Sequence, residues 1–364
     1  MKILFVDPMG FAYNTRTPTR SPLGGTQSAV LYLSQALAAL GHAVTVINGV
    51  EATEVSDAVT FTPFPYSTAD MNAQDLIVVV AAPLGQRLRQ LGVDRPIVLW
   101  CHHATDQRAV APLANAEERA AYQGYAMVSQ WQAESYIRAF AIPVERTVVL
   151  RNAASPYVLN QTPKEPWYIS GAPPTLGYAS TPFRGLDILL MGFPLLRTRI
   201  PEARLRIYSS MGIYGHSADQ DGYRALYALA KSLPGVEYVG PLPQAALAEA
   251  LMDIDYLAFP STFAETSCIA VIEAMAAGAH IVSTDLGALP ETTAGFATLV
   301  NRANDVPPLF AARYVDALGD VIEAPDKRSA QSRRDQQLRV ARDAYSWKTR
   351  AETWTKWIGE LVAA

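Results

Sequence analysis

The chain has 364 residues, 50% of them hydrophobic and 18% charged, with mean hydropathy +0.07. That balance excludes disorder, and the length points to two domains, because single hydrophobic cores stop growing well below it. With 30 basic against 34 acidic residues the net charge is −4, which leaves no whole-domain basic field for nucleic acid. Cys101 and Cys268 stand far apart in no metal-ligand spacing, so neither a zinc site nor a disulfide framework is expected. Asp7-Pro8 cuts the opening apolar run Ile3–Val6 short of a signal peptide, and a cytoplasmic protein is expected.

In chain order, Lys2–Val6 reads as a strand, followed by a loop rich in Pro, Thr, Arg and Gly. From Ser28 to Leu40, Val30, Leu33, Leu37 and Leu40 share one helical face, and Gly41 stops the helix. Ala43–Ile47, Leu76–Val80, Ile97–Trp100, Ala126–Val128 and Thr147–Leu150 follow as strands. They are apolar on both faces, the mark of parallel strands covered by helices on each side. Asn152 to Pro174 has the proline-rich composition of a linker.

A second series then runs through Thr175–Tyr178, Leu205–Tyr208, Val236–Val239, Tyr256–Phe259, His280–Ser283 and Ala297–Val300. Helical patterns lie between these strands at Leu186–Leu196, Gly222–Leu233, Gln244–Met252 and Ile269–Ala277. The expected class is α/β, two doubly wound Rossmann-like domains facing a cleft, over residues 1–160 and 161–345. Trp347, Trp354, Ile358 and Leu361 recur at helical intervals, so residues 346–364 form a last helix. Periodicity alone leaves it docked across both halves or capping the second.

Phe259-Pro-Ser-Thr-Phe-Ala-Glu265-Thr-Ser-Cys-Ile-Ala-Val-Ile-Glu273-Ala-Met-Ala-Ala-Gly278 is the most informative stretch. Glu265 stands in the loop after a strand, and Glu273 lies in an otherwise apolar helix among Ile269, Val271, Ile272 and Met275. A buried, unpaired carboxylate is costly, so Glu273 must face water, find a partner or hold a ligand. The helix start between the two acids offers unpaired N–H groups to a phosphate. A nucleotide-linked substrate fits, with its phosphate on the amides, its ribose on Glu273 and its reacting group near Glu265.

In Gly177-Tyr-Ala-Ser-Thr-Pro-Phe-Arg184-Gly185-Leu-Asp187, Arg184 precedes an apolar helix. The helix dipole disfavours a cation there unless an anion lies between, and the plain alternative is an exposed turn arginine. Gly24-Gly25, ahead of the first long helix, lets backbone approach a phosphate or is simply a flexible loop. His102-His103 follows a strand at the end that lines the crevice in such folds, where it contacts substrate or serves structure. No metal is expected, since no carboxylate or third histidine lies at ligand spacing, and there is no nucleophile elbow or P-loop.

Together these constellations resemble a retaining glycosyltransferase of family 4, the glycosyl transferases group 1, with the GT-B fold. The likeness covers nearly the whole chain. It takes in Gly24-Gly25, Val128-Ser129 with Tyr136, Val149-Leu-Arg-Asn152, Arg184-Gly185-Leu-Asp-Ile-Leu-Leu190, Val236-Glu-Tyr-Val-Gly240 and Glu265-x7-Glu273-Ala-Met-Ala-Ala-Gly278. The resemblance implies that Glu273 binds the donor ribose and that Glu265 contacts sugar hydroxyls and supports the developing positive charge. Arg184, Gly185 and the amides of Ser267, Cys268 and Ile269 would hold the diphosphate, with Gly24 and Gly25 closing from the other domain. Gly240 would lie beside the base, and His102 or His103 would face sugar and acceptor. The family also places the C-terminal helix back on the first domain.

The implied partners are a UDP- or GDP-type sugar and a glycan, lipid-linked or protein acceptor. No resident cofactor is implied, because Arg and helix dipoles stabilise the leaving diphosphate. Tyr13, Arg16 and Arg20, on the loop from Pro8 to Leu23, are candidates for acceptor contact or for peripheral contact with an anionic membrane. Three departures stand out. Tyr178 occupies a donor-side position where the family commonly has Arg, so that the second cation is either missing or supplied by Arg151 or Arg16. Ser267-Cys268 replaces the usual Phe-Gly, and Ser209-Ser-Met-Gly212 replaces a glycine-rich turn. The alternatives are a degenerate sugar-nucleotide-binding or regulatory protein, and an epimerase or small-molecule synthase on the same scaffold.

Overall fold

Runs that are apolar on both faces form the centres of two parallel sheets. The computed structural model describes every residue except His216, Ala218, Pro325 and Ala364, the last of which ends the expected C-terminal helix. The chain divides into two units. The first holds Met1–Thr17, Gly25–Ala153 and Ser346–Ala364, and the second holds Pro18–Gly24 and Ala154–Tyr345. Residues 154–160, which the sequence assigns to the first domain, thus lie with the second, because Ser155 and the helix Pro156–Leu159 pack on its helix Ile269–Ala277.

The first unit is built on β1 (Lys2–Val6), β2 (Ala43–Asn48), β3 (Glu54–Ser56), β4 (Val59–Pro63), β5 (Leu76–Val80), β6 (Ile97–Cys101), β7 (Gly124–Met127) and β8 (Thr147–Val149). Their order is β3-β4-β2-β1-β5-β6-β7-β8, and only β3 runs antiparallel to its neighbour. Ile3 sits between Val44 and Leu76 in register, so β1 is paired on both edges. Every residue of β5 and β6 is buried, the outcome expected of strands covered on both faces.

The first long helix spans Gly25–Ala39, starting earlier than the apolar pattern from Ser28 indicates. The C-terminal helix, Trp347–Ala363, packs on it within this unit. Trp354 meets Trp100 edge-on at 5.2 Å, and His42 Nε2 lies 3.0 Å from Thr355 Oγ1.

The second unit carries β9 (Thr175–Tyr178), β10 (Arg204–Ile207), β11 (Val236–Tyr238), β12 (Tyr256–Phe259), β13 (His280–Thr284) and β14 (Thr298–Val300). All pairs are parallel, in the order β11-β10-β9-β12-β13-β14. The expected linker is not plain coil, since it holds the short helices Pro156–Leu159 and Trp167–Ser170. Two long helices absent from the sequence reading, Pro307–Glu323 and Lys327–Ala344, follow β14. Pro307–Glu323 packs along Leu186–Arg199, and its Tyr314 hydroxyl donates to the Val282 carbonyl at 2.6 Å.

Candidate functional site

In the second unit the strand order reverses between β9 and β12, and α/β sheets take ligands outside the carboxyl ends of their strands at such a point. Arg184 lies on the loop after β9 and Glu265 on the loop after β12. Backbone close approach fixes both loops. At Gly185 φ is +105°, and an added Cβ would stand 2.1 Å from the Pro260 carbonyl oxygen, so only glycine fits. Glu265 pairs as a bridge with Gly287, and its carbonyl accepts from the Ala288 N–H at 2.7 Å. A Cβ on Gly287 would lie 2.4 Å from that same carbonyl oxygen.

Arg184 Nη1 donates to Glu265 Oε1 in an ion pair whose side chains are 20% and 5% exposed. The guanidinium carbon also lies 4.7 Å from the Phe263 ring centroid and 5.5 Å from that of Phe183. Arg184 Nε is buried and has no hydrogen-bond partner among the described residues. Burial works against the guanidinium charge, but Glu265 beside it holds the pKa above its ordinary value. The site therefore keeps a fixed cation with one donor to spare, and Arg184 is not the exposed turn residue of the plain reading.

Glu273 is 6% exposed, which removes the reading of a charge facing water. Its Oε1 accepts from the Ser155 N–H at 3.1 Å. Burial pushes its pKa up to about 7, opposed by the Ser155 N–H and hydroxyl. Between the two acids, Cys268 precedes Ile269–Ala277, whose first turn contains no acid. Cys268 is buried, and burial pushes its thiol pKa up. Ser267 and Ile269 are half-buried beside it. The helix start thus presents amides on a first turn without acids, beside the Arg184–Glu265 pair, and Arg184 with these amides suits an anion.

The far end of this helix is held by Lys327–Ala344, a helix that sequence reasoning missed because it is almost wholly polar. Gln337 Nε2 donates to the Met275 and Ala279 carbonyls at 3.1 and 2.8 Å. Arg334 Nε donates to Gly278 O at 3.0 Å, and Arg342 Nε to Ala276 O at 3.3 Å. Gln337→Leu leaves two buried carbonyls without that donor and is expected to cost about 2 kcal/mol in chemical denaturation. An unchanged midpoint would mean that water replaces the amide.

Other sequence candidates fall in different surroundings. Tyr178 is fully buried, its hydroxyl donating to Thr181 O at 2.7 Å, so it offers no surface to a donor and is corrected from the donor set. Gly240 follows β11, its N–H donating to Ile207 O at 3.2 Å. Beside it, Tyr238 stacks on Tyr227 at 4.8 Å, a pair that strand and helix patterns gave no reason to single out.

In the first unit Tyr13 is 2% exposed, and its hydroxyl donates to Asp7 Oδ2 at 2.9 Å. It belongs to the core beneath the loop and is corrected from the acceptor set. Arg16 pairs with Glu54 at 2.6 Å, Arg20 is exposed, and Arg151 is exposed after β8. Gly25 opens the first long helix, with Gly24 buried before it. His102 lies against Trp100 at 4.5 Å, and burial, aided by His103, lowers its pKa to about 3, so it stays neutral near pH 7. The His103 carbonyl accepts from Gln132 Nε2 and the Tyr136 hydroxyl, both at 2.9 Å, which fixes the turn after β6.

Among the described residues no group of three or more His, Cys, Asp or Glu could hold a metal ion. Among them, too, no helix is long and apolar enough to cross a membrane.

Residues 173–320 match the family model for glycosyl transferases group 1. The phosphatidyl-myo-inositol mannosyltransferase of Mycobacterium tuberculosis strain ATCC 25618 / H37Rv is 31% identical over 152 residues, 41% of this chain and 37% of that protein. The D-inositol 3-phosphate glycosyltransferase of Corynebacterium glutamicum strain R is 24% identical over 188 residues, 50% of this chain and 42% of that one. The match thus spans less than half the length of these relatives. Sucrose-phosphate synthase from Thermosynechococcus elongatus superimposes over all of both chains, with TM-score 0.73 and 18% identity. HepE from Anabaena, solved with UDP and glucose, covers 99% of this chain and 100% of its own at TM-score 0.69 and 16% identity. At these identities the likeness is one of fold. Residues 173–320 thus resemble the glycosyl transferases group 1, and the chain has the GT-B fold of its structural neighbours.

Proposed function

We propose that the chain transfers a sugar from a nucleotide-diphosphate sugar to an acceptor hydroxyl, with retention at the anomeric carbon and without a metal. The observation that carries this is the Arg184–Glu265 pair at the strand-order reversal, beside a helix start free of acids and the buried carboxylate of Glu273. The diphosphate would lie against the amides of Ser267, Cys268 and Ile269, with Arg184 Nε as an added donor and Gly185 letting backbone come close. Glu273 would accept from the ribose, and Gly240 would border the base.

As the bond from the anomeric carbon to the phosphate oxygen breaks, the acceptor oxygen bonds on the same face, and its proton passes to the departing phosphate oxygen. Arg184 and the helix amides stabilise the charge that develops there. Glu265, paired with Arg184, sets its guanidinium and supports the positive charge on the sugar. For the acceptor, His102, neutral near pH 7, or His103 would serve as a hydrogen-bonding group. The acceptor is a glycan, a lipid-linked group or a protein side chain, and the relative named for phosphatidyl-myo-inositol favours the lipid-linked class. A UDP-type donor is supported by the UDP-glucose complex of the fold neighbour HepE.

The competing reading, a binder without turnover, draws on Tyr178, which leaves Arg184 without the second cation usual in the family. Thermal shift with UDP, GDP, ADP and CMP, with and without chelator, tests both. One nucleoside diphosphate at about 100 times its Kd is expected to stabilise the fold by about 2.7 kcal/mol, chelator or not. No shift with any of the four would discard the donor site. Binding with neither hydrolysis nor transfer of the matching nucleotide sugar would favour the binder.

A further inference from the structure

We propose that Ser155 is the positioning residue of the donor site: its backbone N–H orients the Glu273 carboxylate toward the ribose. The proposal rests on the reading of Glu273 given above. Oε1 of Glu273 accepts from the Ser155 N–H at 3.1 Å, although 118 residues separate the two. The Ser155 hydroxyl bonds the carboxylate as well, so its rotation is restricted and its remaining acceptor capacity is what it presents to a ligand.

The donor itself is held from both sides. Ala154 N–H donates to the Tyr345 carbonyl at 3.0 Å, and the Tyr345 hydroxyl donates to Thr292 O at 2.8 Å. On the other side Ser155 caps the helix Pro156–Leu159, its hydroxyl accepting from the Val158 N–H at 3.4 Å. That short helix packs on Ile269–Ala277, the helix that carries Glu273. The Ser155 N–H is therefore fixed by contacts that would persist without Glu273, as a positioning group requires. A purely structural acid–amide contact would place no demand on the ligand, and the test separates the two.

Ser155 has φ −63°, which proline adopts without strain, so Ser155→Pro deletes the N–H at a compatible backbone geometry. Ser155→Ala keeps the N–H and loses only the hydroxyl. Binding is read by calorimetry with the nucleoside diphosphate, among UDP, GDP and ADP, that stabilises the wild type, and kinetics with the matching nucleotide sugar. Ser155→Pro is expected to weaken the nucleoside diphosphate and raise the donor KM about tenfold, one charge-assisted hydrogen bond, with a smaller change in kcat. Ser155→Ala is expected to recover all but about threefold of that loss, and Ser155→Pro should add little in a Glu273→Ala background.

Where Glu273→Ala weakens binding and Ser155→Pro does not, the proposal fails and the donor-site reading stands. Where Glu273→Ala has no effect, or the wild type binds none of the three, both fail together. If Ser155→Pro does not fold, the Ser155 amide proton resonance decides. It should move on saturation with the nucleoside diphosphate in the wild type and stay still in Glu273→Ala, and an amide blind to the nucleotide overturns the proposal.

Discussion

Glu273→Gln is expected to stabilise the folded protein at pH 8 and, in the same variant, to weaken donor binding. The Glu273 carboxyl titrates near 7 in the folded chain, against an ordinary value of 4.5, because burial penalises its charged form. A group whose folded pKa is raised gives its full stability below the unfolded pKa and loses it as pH rises through the folded one. The window here runs from about pH 4.5 to 7. By pH 8 the wild type bears nearly the whole cost of the buried charge, about 3 kcal/mol from the size of the shift.

Glutamine keeps a carbonyl oxygen for the Ser155 N–H and carries no charge, so the difference between variant and wild type should grow from near zero at pH 4 to its maximum at pH 8. Donor binding should move the opposite way, falling about tenfold with loss of a charge-assisted acceptor for the ribose. Denaturant midpoints from pH 4 to 8 and calorimetry with the nucleoside diphosphate check the two halves. A variant less stable than wild type at pH 8 would mean that the carboxylate is held for the fold. A variant that binds the nucleotide like wild type would remove Glu273 from the donor site.

This cost was partly legible in the sequence. A lone acid among Ile269, Val271, Ile272 and Met275 has few affordable environments, and burial beside one amide is among them. The partner, Ser155, was beyond reach, since no local pattern links positions 118 apart. The central strands were readable because β1, β5 and β6 are apolar on both faces. The edge strand β3 and its neighbour β4 were not: they carry Glu54, Ser56, Thr60 and Thr62, and Asp57 and Ala58 turn between them at φ 47° and 62° without a marker glycine. Tyr13 was misread for a related reason. Its neighbours in sequence are those of a solvated loop, and the buried Asp7 just after β1, with Asn48 and the Phe61 ring, draws it into the core. Lys327–Ala344 hid because its work is done by polar side chains on carbonyls, which leaves no apolar stripe.

Arg184→Met is expected to be among the most destabilising single substitutions in the second unit, at about 3–5 kcal/mol, because it strands Glu265 as a buried carboxylate without its partner. Arg184→Met combined with Glu265→Leu should recover much of that loss. Replacing both members of a buried pair with apolar groups of similar size removes the desolvation cost along with the attraction. The Phe183 and Phe263 rings that flank the guanidinium already provide an apolar surround for methionine. Neither variant should transfer sugar, since both lose the cation set against the leaving diphosphate. Arg184→Lys should fold, keep the charge and still lose most activity, because an ammonium cannot reach Glu265 and an incoming phosphate with the spread donors of a guanidinium. Denaturation of the single and double variants and turnover of all three check this. A double variant no more stable than Arg184→Met would mean that the pair stabilises the fold outright. Wild-type turnover in any of them would take the Arg184–Glu265 pair out of the reaction. Glu273 differs in this respect: its buried charge has no cationic partner and costs the folded chain free energy at pH 8, whereas Glu265 beside Arg184 holds the guanidinium charged.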